Sequence, residues 1–201
     1  MLLLNAINTM LRGVGESPVA DENSTHPSVQ MARATLEAVR IELLAEQWWF
    51  NKDFSVELVP EINDFIYIPL GTMQIEVLSN RYIVRRDDRL YNTLDNTYVF
   101  EAPIEVNLHP DIAFDDLPPL AQLYIMYRAT ADFIMEDDGD MAKQQSAAGR
   151  ADSTLVKLNS EHLKQQRYNA LDAPASARLR AGVHRPYGGG PSGDYIGGRN
   201  G

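Results

Sequence analysis

The spacing of the apolar residues changes twice along this chain, and this change constrains the fold more than any single motif does. Residues 28–49 and 117–134 repeat apolar side chains every three or four positions, as amphipathic helices do. Between them lie short β-prone runs, several of which alternate apolar and polar residues. The runs are FSVELV, FIYIPL, QIEVL, RYIVRR, TYVFE and IEVNL. We therefore predict a mainly α fold with an inserted small β subdomain, an α+β protein.

The same pattern predicts four parts of the chain. The two parts of a helical bundle flank a subdomain of short antiparallel strands, and an extended, flexible arm follows. The arm is predicted because eight of the thirteen glycines lie in residues 182–201. The predicted boundaries are 1–53 and 114–171 for the bundle, 54–113 for the β subdomain and 172–201 for the C-terminal arm.

Shorter signals predict where individual elements begin and end. A first helix is expected to stop at Gly13 and Gly15, because glycine suits a helix C-terminus. A turn is expected at Asp87-Asp88, between two apolar runs. The acidic run EDDGD is expected to end the helix that starts at Leu117, and a last helix is expected over residues 141–171.

The helix predicted at residues 28–49 carries two apolar stripes. At about 100° per residue the stripes lie on opposite faces, separated by charged side chains. A helix that is apolar on two faces needs two partners. We expect one stripe to face the core and the second, alanine-rich stripe to meet another helix or a neighbouring subunit. The first stripe is Val29, Ala32, Leu36, Val39 and Leu43; the second, our candidate subunit interface, is Ala34, Ala38, Ile41, Ala45 and Trp48.

The net charge of −10 is unevenly distributed. From Asp172 onward four arginines oppose two aspartates, so this segment carries +2. Residues 1–171 contain 14 basic and 26 acidic residues and carry −12. An acidic body of this kind repels nucleic acid, so tight nucleic-acid binding is not expected.

Disulfides, secretion and membrane insertion are not expected. The chain has no cysteine, and no window approaches the roughly 18 consecutive apolar residues that span a bilayer. The start MLLLNAINTM lacks a basic region and its apolar run breaks at Asn5, which indicates a helix start rather than a signal peptide. We expect a soluble protein that stays in the compartment where it is made.

Patterns for catalysis or metal binding are weak. The histidines are His26, His109, His162 and His184. They show neither His-x-x-x-His nor His–carboxylate spacing, and EDDGD lacks the alternating ligands of a calcium loop. Carboxylate pairs such as Asp115 with Asp116, or Glu57 with Glu61, could serve a glycosidase, but pairs like these arise by chance among 28 acidic residues. We predict no catalytic residue, cofactor or metal.

Three stretches, in a fixed order, carry a family resemblance. NAINTMLRGVGESPV, residues 5–19, is similar to an opening helix that ends in an Ile/Val-Gly-Glu-x-Pro-Val turn. ARATLEAVRIELLAEQWWFNKDFSVELVPE, residues 32–61, is similar to a long helix followed by a Gly-Trp-x-Phe-Asn step into a strand. FDDLPPLAQLYIMYRATADF, residues 114–133, is similar to an acidic-Leu/Met-Pro helix start that leads to Ala-x-x-x-Phe. Together they resemble tail tubular protein A, the head-to-tail connector (adaptor or gatekeeper) of short-tailed podovirus phages.

The resemblance implies a function as well as a fold. It implies a structural virion protein without catalysis, which forms a twelve-fold ring at the head–tail interface and is made in the host cytoplasm. Such a ring docks under the portal protein and receives the tail nozzle (tubular B-type) protein. Genomic DNA passes through its lumen without sequence-specific binding, and neither cofactor nor membrane is involved.

The resemblance also implies a partner for the C-terminal arm. The arm is expected to reach the portal or a neighbouring subunit, with apolar side chains as anchors and arginines paired to acidic groups. The candidate partner-binding residues are Arg178, Arg180, Arg185, Tyr187, Tyr195, Ile196 and Arg199.

Two other functions stay open on the sequence. The abundant carboxylates leave a tail-associated glycan or peptidoglycan hydrolase as an alternative. The Arg, Tyr and Gly residues of the arm leave a module that binds single-stranded nucleic acid, which the −12 body disfavours.

Overall fold

In the computed structural model, residues 2–137 and 139–172 are described, with side chains up to residue 166. The chain divides into two compact units, Met1–His162 and Leu163–Gly201. The described helices are α1 (Leu3–Gly13), α2 (Pro27–Ala45), α3 (Pro119–Asp137) and α4 (Met141–Asp172). The strands are β1 (Asp53–Leu58), β2 (Thr72–Val77), β3 (Ile83–Arg86), β4 (Arg89–Asn92) and β5 (Ile104–Pro110), and short 3-10 helices lie at Trp49–Asn51 and Phe114–Asp116. The predicted α+β class is confirmed.

The helices pack around one apolar core. Helices α1, α2 and α3 contact one another in all three pairs, and Leu158 brings the first part of α4 onto the same core. The first predicted stripe of α2 is buried throughout, as expected of a core-facing stripe. Among the described helices, none has the length and the apolar content to cross a membrane.

Helix ends mostly agree with the sequence, with one correction at α2. As predicted, α1 stops at Gly13 and α3 stops in the acidic run, where the Gly139 N–H donates to the carbonyl of Ile134. The predicted end of α2 at residue 49 is wrong, because the helix stops at Ala45 and Gln47 takes a left-handed φ of 59°. Trp48 Nε1 and Asn51 Nδ2 donate to the carbonyls of Leu43 and Leu44, which satisfies oxygens that the helix end leaves unpaired.

The inserted β part contains two small antiparallel sheets around a second core. One sheet has the order β1–β5–β2, and both outer strands carry a register shift near their beginning. The other is the β3–β4 hairpin, in which the predicted Asp87-Asp88 turn is present and Asp87 has a φ of 54°. The buried residues of this second core are Leu58, Ile66, Ile68, Ile83, Leu90, Phe100, Val106 and Leu108.

Two of the predicted strands are wrong. FIYIPL forms only the isolated bridges of Phe65 with Val99 and of Tyr67 with Arg89. Asp64, with a left-handed φ of 59°, and Pro69, which has no N–H, lie at the two ends of this segment, so a continuous ladder of backbone hydrogen bonds does not form. TYVFE likewise forms only isolated bridges, although its side chains contribute to the β core.

Arg40 connects the helical part to the end of β5. Its side chain is 6% exposed, and its Nε and Nη2 donate to the two carboxylate oxygens of Glu37 at 2.9 and 2.6 Å. Its Nη1 donates to Oδ1 of Asp111 and to the carbonyl oxygen of Ile112. The hydrogen bond to Glu37 is the largest contribution that raises the pKa of Arg40, and the same bond lowers the pKa of Glu37. A charged guanidinium therefore joins α2 to the segment that re-enters the bundle.

We predict that Arg40→Met lowers the free energy of unfolding by about 2–3 kcal/mol, because it removes four hydrogen bonds at a buried site. The loss stays below that of a fully buried pair, since Glu37 and Asp111 are about half exposed. Arg33→Met is the control, an exposed arginine of the same helix with an expected loss below about 0.5 kcal/mol. Urea unfolding followed by tryptophan fluorescence measures both losses. Equal losses would contradict the connecting role of Arg40.

His109 is the buried histidine of the β part. It lies on β5 with 1% exposure, and neither ring nitrogen has a hydrogen-bond partner among the described residues. Burial is the largest cause that lowers its pKa, and nearby Lys52 adds to the effect. Folding therefore disfavours the protonated form of this imidazole.

A depressed histidine pKa makes stability depend on pH in a defined direction. The unfolded chain takes up a proton near pH 6.5, whereas the folded chain resists it, so stability is full above about pH 6.5 and is lost as the pH falls towards the folded pKa. We expect His109→Phe to reduce the drop in melting temperature between pH 7.5 and pH 5. His26→Gln, at an exposed histidine, should keep the drop of the unmodified chain. An unchanged drop in His109→Phe would show that another group causes it.

Candidate interaction surfaces

The second stripe of α2 forms an exposed apolar surface, with one exception. Ala34, Ala38, Ile41 and Ala45 are all exposed, and Ile41 is 45% exposed. We call these four residues the α2 face. The described chain buries the first stripe and leaves these four residues of the second stripe exposed.

Trp48 does not belong to this face, which corrects its place in the predicted interface. It is 3% exposed and lies in the helical core, because the chain has already turned at Gln47. Its ring stacks on Phe50 with centroids 6.2 Å apart and meets His162 edge-on at 5.3 Å. The neighbouring Trp49 is partly buried, and its backbone N–H donates to Nδ1 of His162 at 3.3 Å. Both tryptophans therefore stabilise the corner between α2 and β1.

A groove with acidic walls lies between α2 and α3 and shares Ala34 and Ala38 with the α2 face. It has a volume of about 430 Å³. Its floor is apolar and three carboxylates surround it. Asp132 pairs with Arg128 at 3.2 Å, whereas Glu42 and Glu136 form no ion pair with any residue that the structure describes. We call this the acidic groove; it is lined by Met31, Ala34, Thr35, Ala38, Val39, Glu42, Asp132 and Glu136.

The β3–β4 hairpin presents a surface that sequence reasoning missed. Arg89 lies over the rings of Phe65, Tyr67 and Tyr98, with 5.0 to 5.9 Å from its guanidinium carbon to each centroid. Arg86 stacks on Tyr91 at 3.6 Å. Because cross-strand partners share a side of a sheet, the pairing of Arg86 with Arg89 and of Val84 with Tyr91 puts all four on one side. We call this side the hairpin face: Val84, Arg86, Arg89 and Tyr91 with the rings of Phe65, Tyr67 and Tyr98.

A signal for the hairpin face was present in the sequence. Phe65 and Tyr67 are two residues apart, as are Arg89 and Tyr91, and this spacing puts each pair on one side of an extended segment. The sequence also shows single apolar residues between the polar residues of the loops. Ile62 and Leu70 are fully exposed there.

The residues considered for catalysis do not come together. Oδ1 of Asp115 accepts a hydrogen bond from the Leu3 N–H at 2.7 Å, so this carboxylate is occupied at the start of α1. Glu57 is exposed on β1 and Glu61 is exposed in the following loop. Within the residues that the structure describes, no group of three His, Cys, Asp or Glu side chains is arranged to hold a metal ion.

Comparison with known proteins identifies the family. A family model described as "Tube: Tail tubular protein" matches residues 4–178. The chain is also 30% identical to "Tail tubular protein A" of Klebsiella phage KP34 over 178 residues, which cover 88% of this chain and 95% of that protein. This chain belongs to the tail tubular protein family. It is therefore a structural component of a phage tail.

The family match covers the described tail tubular fold and ends inside the predicted arm. Of the seven arm residues predicted to bind a partner, only Arg178 falls within the match. All seven lie outside the described residues, as does His184. Their role stays a prediction.

Because Trp48 is buried and Ile41 is exposed, we predict that substitutions at these two positions change the free energy of unfolding by very different amounts. Trp48→Ala should lower the free energy of unfolding by about 3–5 kcal/mol, because it empties a buried aromatic site. Ile41→Ser, on the exposed face of the same helix, should change it by less than about 0.5 kcal/mol. Thermal and urea unfolding of the isolated protein measure both. A large loss in Ile41→Ser would mean that the α2 face is already covered.

Proposed function

We propose that this tail tubular protein is the subunit of an adaptor ring that joins the portal to the tail nozzle protein and forms part of the DNA ejection channel. Family membership carries the proposal, since it identifies the chain as a tail component. The ring would hold twelve copies at the head–tail interface of the virion, and the subunit would be made in the host cytoplasm and act without catalysis.

The α2 face supports an assembly role. An isolated chain that exposes a run of small and branched apolar side chains on one helix has a surface suited to close helix packing. In a ring each subunit presents two different surfaces to its two neighbours, so such a surface needs a complementary one elsewhere on the chain. The proposed subunit interface comprises Ala34, Ala38, Ile41 and Ala45.

The charge of the chain supports a channel through which DNA passes without binding. Residues 1–171 carry −12, so twelve copies would bring on the order of a hundred negative charges into one ring. Phosphates are repelled by such a wall, and a repelled duplex slides rather than adheres. The same charge makes the basic C-terminal residues the natural contacts for an acidic surface on the portal or on a neighbouring subunit.

The direct test is reconstitution with the cognate portal. The purified chain and intact portal are mixed, and mass photometry and negative-stain images record the products. We expect a second ring stacked on the portal ring and a mass increase that corresponds to twelve subunits. If full-length protein and intact portal never form a ring-on-ring complex, the adaptor function is wrong.

Removal of the residues after Leu171 tests the arm separately. Because the described core residues of the helical and β parts all precede Leu163, we expect the melting temperature of the isolated protein to stay within about 2 °C. Portal docking should weaken. A full-length chain with Arg178, Arg180, Arg185 and Arg199 replaced by serine controls for the charge of the arm. A large drop in melting temperature on truncation would instead assign the arm to the core.

A further inference from the structure

We propose that the hairpin face of one subunit docks into the acidic groove of a second copy of this chain. The inference rests on the proposed ring and adds the pair of surfaces that would join neighbouring subunits. Both surfaces belong to the Met1–His162 unit. Arg86 of the hairpin face and Glu42 and Glu136 of the acidic groove are exposed in the single chain, so neither surface covers the other.

Charge is the first argument for this pairing. Within a chain of net charge −10, the segment from residue 81 to 89 holds four arginines and two aspartates. Several other basic side chains of the described part are neutralised within the chain, such as Lys52 with Glu76 and Arg128 with Asp132, and in the hairpin Arg89 pairs with Asp88 at 3.3 Å. Two copies of an acidic protein repel at long range, so contact requires a local patch of opposite sign. Among the described residues the hairpin supplies the densest one.

The arginines of the hairpin have different roles. Arg85 points to the other side of the strand and donates to the carbonyl oxygens of Thr72 and Met73, which fixes the hairpin to β2. Arg86 makes no ion pair with any described residue and is held only by its stack on Tyr91. Arg86 is therefore a preorganised cation that lacks an anion.

The acidic groove has the converse property. Glu42 and Glu136 stand beside an apolar floor without an ion pair among the described residues. The hairpin face fits this combination, because its partly exposed rings of Phe65, Tyr67 and Tyr98 would cover the floor while the Arg86 guanidinium meets the carboxylates. Arg86 would pair with these two glutamates.

The proposed contact joins two different surfaces, one on the β part and one between α2 and α3. Because the inference rests on the proposed ring, the contact runs head-to-tail from one subunit to the next. Repeated head-to-tail contacts close into a ring when the rotation allows it. A contact of this type uses every hairpin face and every acidic groove in the ring.

Charge reversal tests the pairing. We compare ring formation on the portal for the unmodified chain, for Arg86→Glu and for Glu42→Arg, each checked for an unchanged melting temperature. Each variant alone should form rings at least about tenfold less efficiently, since like charges then meet at every interface. Arg81→Glu and Glu57→Arg make the same charge changes at exposed sites outside both surfaces, and they should assemble normally.

An equimolar mixture of the Arg86→Glu and Glu42→Arg variants is the decisive experiment. If the variants alternate around the ring, the introduced glutamate faces the introduced arginine at one interface, and the native Arg86 faces the native Glu42 at the next. Every interface then regains a pair of opposite charges at positions 42 and 86, so rings should return, and their return also shows that both variants are folded. Failure of the mixture to recover rings, or normal assembly of either variant alone, overturns the pairing while the ring stands. If the unmodified chain forms no ring on the portal, the ring itself is refuted, and the pairing with it.

Discussion

The bond network of Arg40 is the constraint on which the arrangement of the two cores depends. The β part, residues 53–110, leaves the bundle after α2 and must return beside it. The guanidinium on α2 holds the return point through Asp111 and the carbonyl of Ile112, while Glu37 on the same helix balances its charge. From this point the chain enters Phe114–Asp116 and then α3, so the position of α3 on α2 follows from the same contact.

The exit from α2 is held by different means. Left-handed Gln47 turns the chain, and the side chains of Trp48 and Asn51 bond the last carbonyls of the helix. The rings of Trp48 and Trp49 then contact His162 on α4. Aromatic packing and side-chain hydrogen bonds therefore fix the point where the chain leaves α2, and an ion pair fixes the point where it returns. Both ends of the inserted part are held to the same helix. The inserted β part is therefore fixed to the bundle at both of its ends.

The periodic spacing of apolar residues predicted the four helices, the buried stripe of α2 and the inserted β part, because buried positions recur with the period of each element. The two adjacent aspartates predicted the hairpin turn. What they missed depends on single contacts between distant residues. Nothing local indicates that Arg40 meets Asp111, 71 positions away, or that Trp48 leaves its stripe when Gln47 turns. FIYIPL looks like a strand because its side chains alternate, yet its backbone meets a partner at single positions only. The sequence pattern predicted the exposed apolar stripe of α2, whereas the arginine–aromatic cluster of the hairpin was not predicted.

The register shifts at the outer strands affect how the edges of their sheet can associate. β1 and β2 are the edges of their sheet, and an open edge invites another chain to add a strand without limit. Ser55 has a φ of 53° inside the irregular start of β1, and charged Asp53 and Glu57 lie along that strand. A bent edge that carries negative charge repels the same edge of a neighbour. Edge-to-edge addition of strands between two copies is thereby disfavoured.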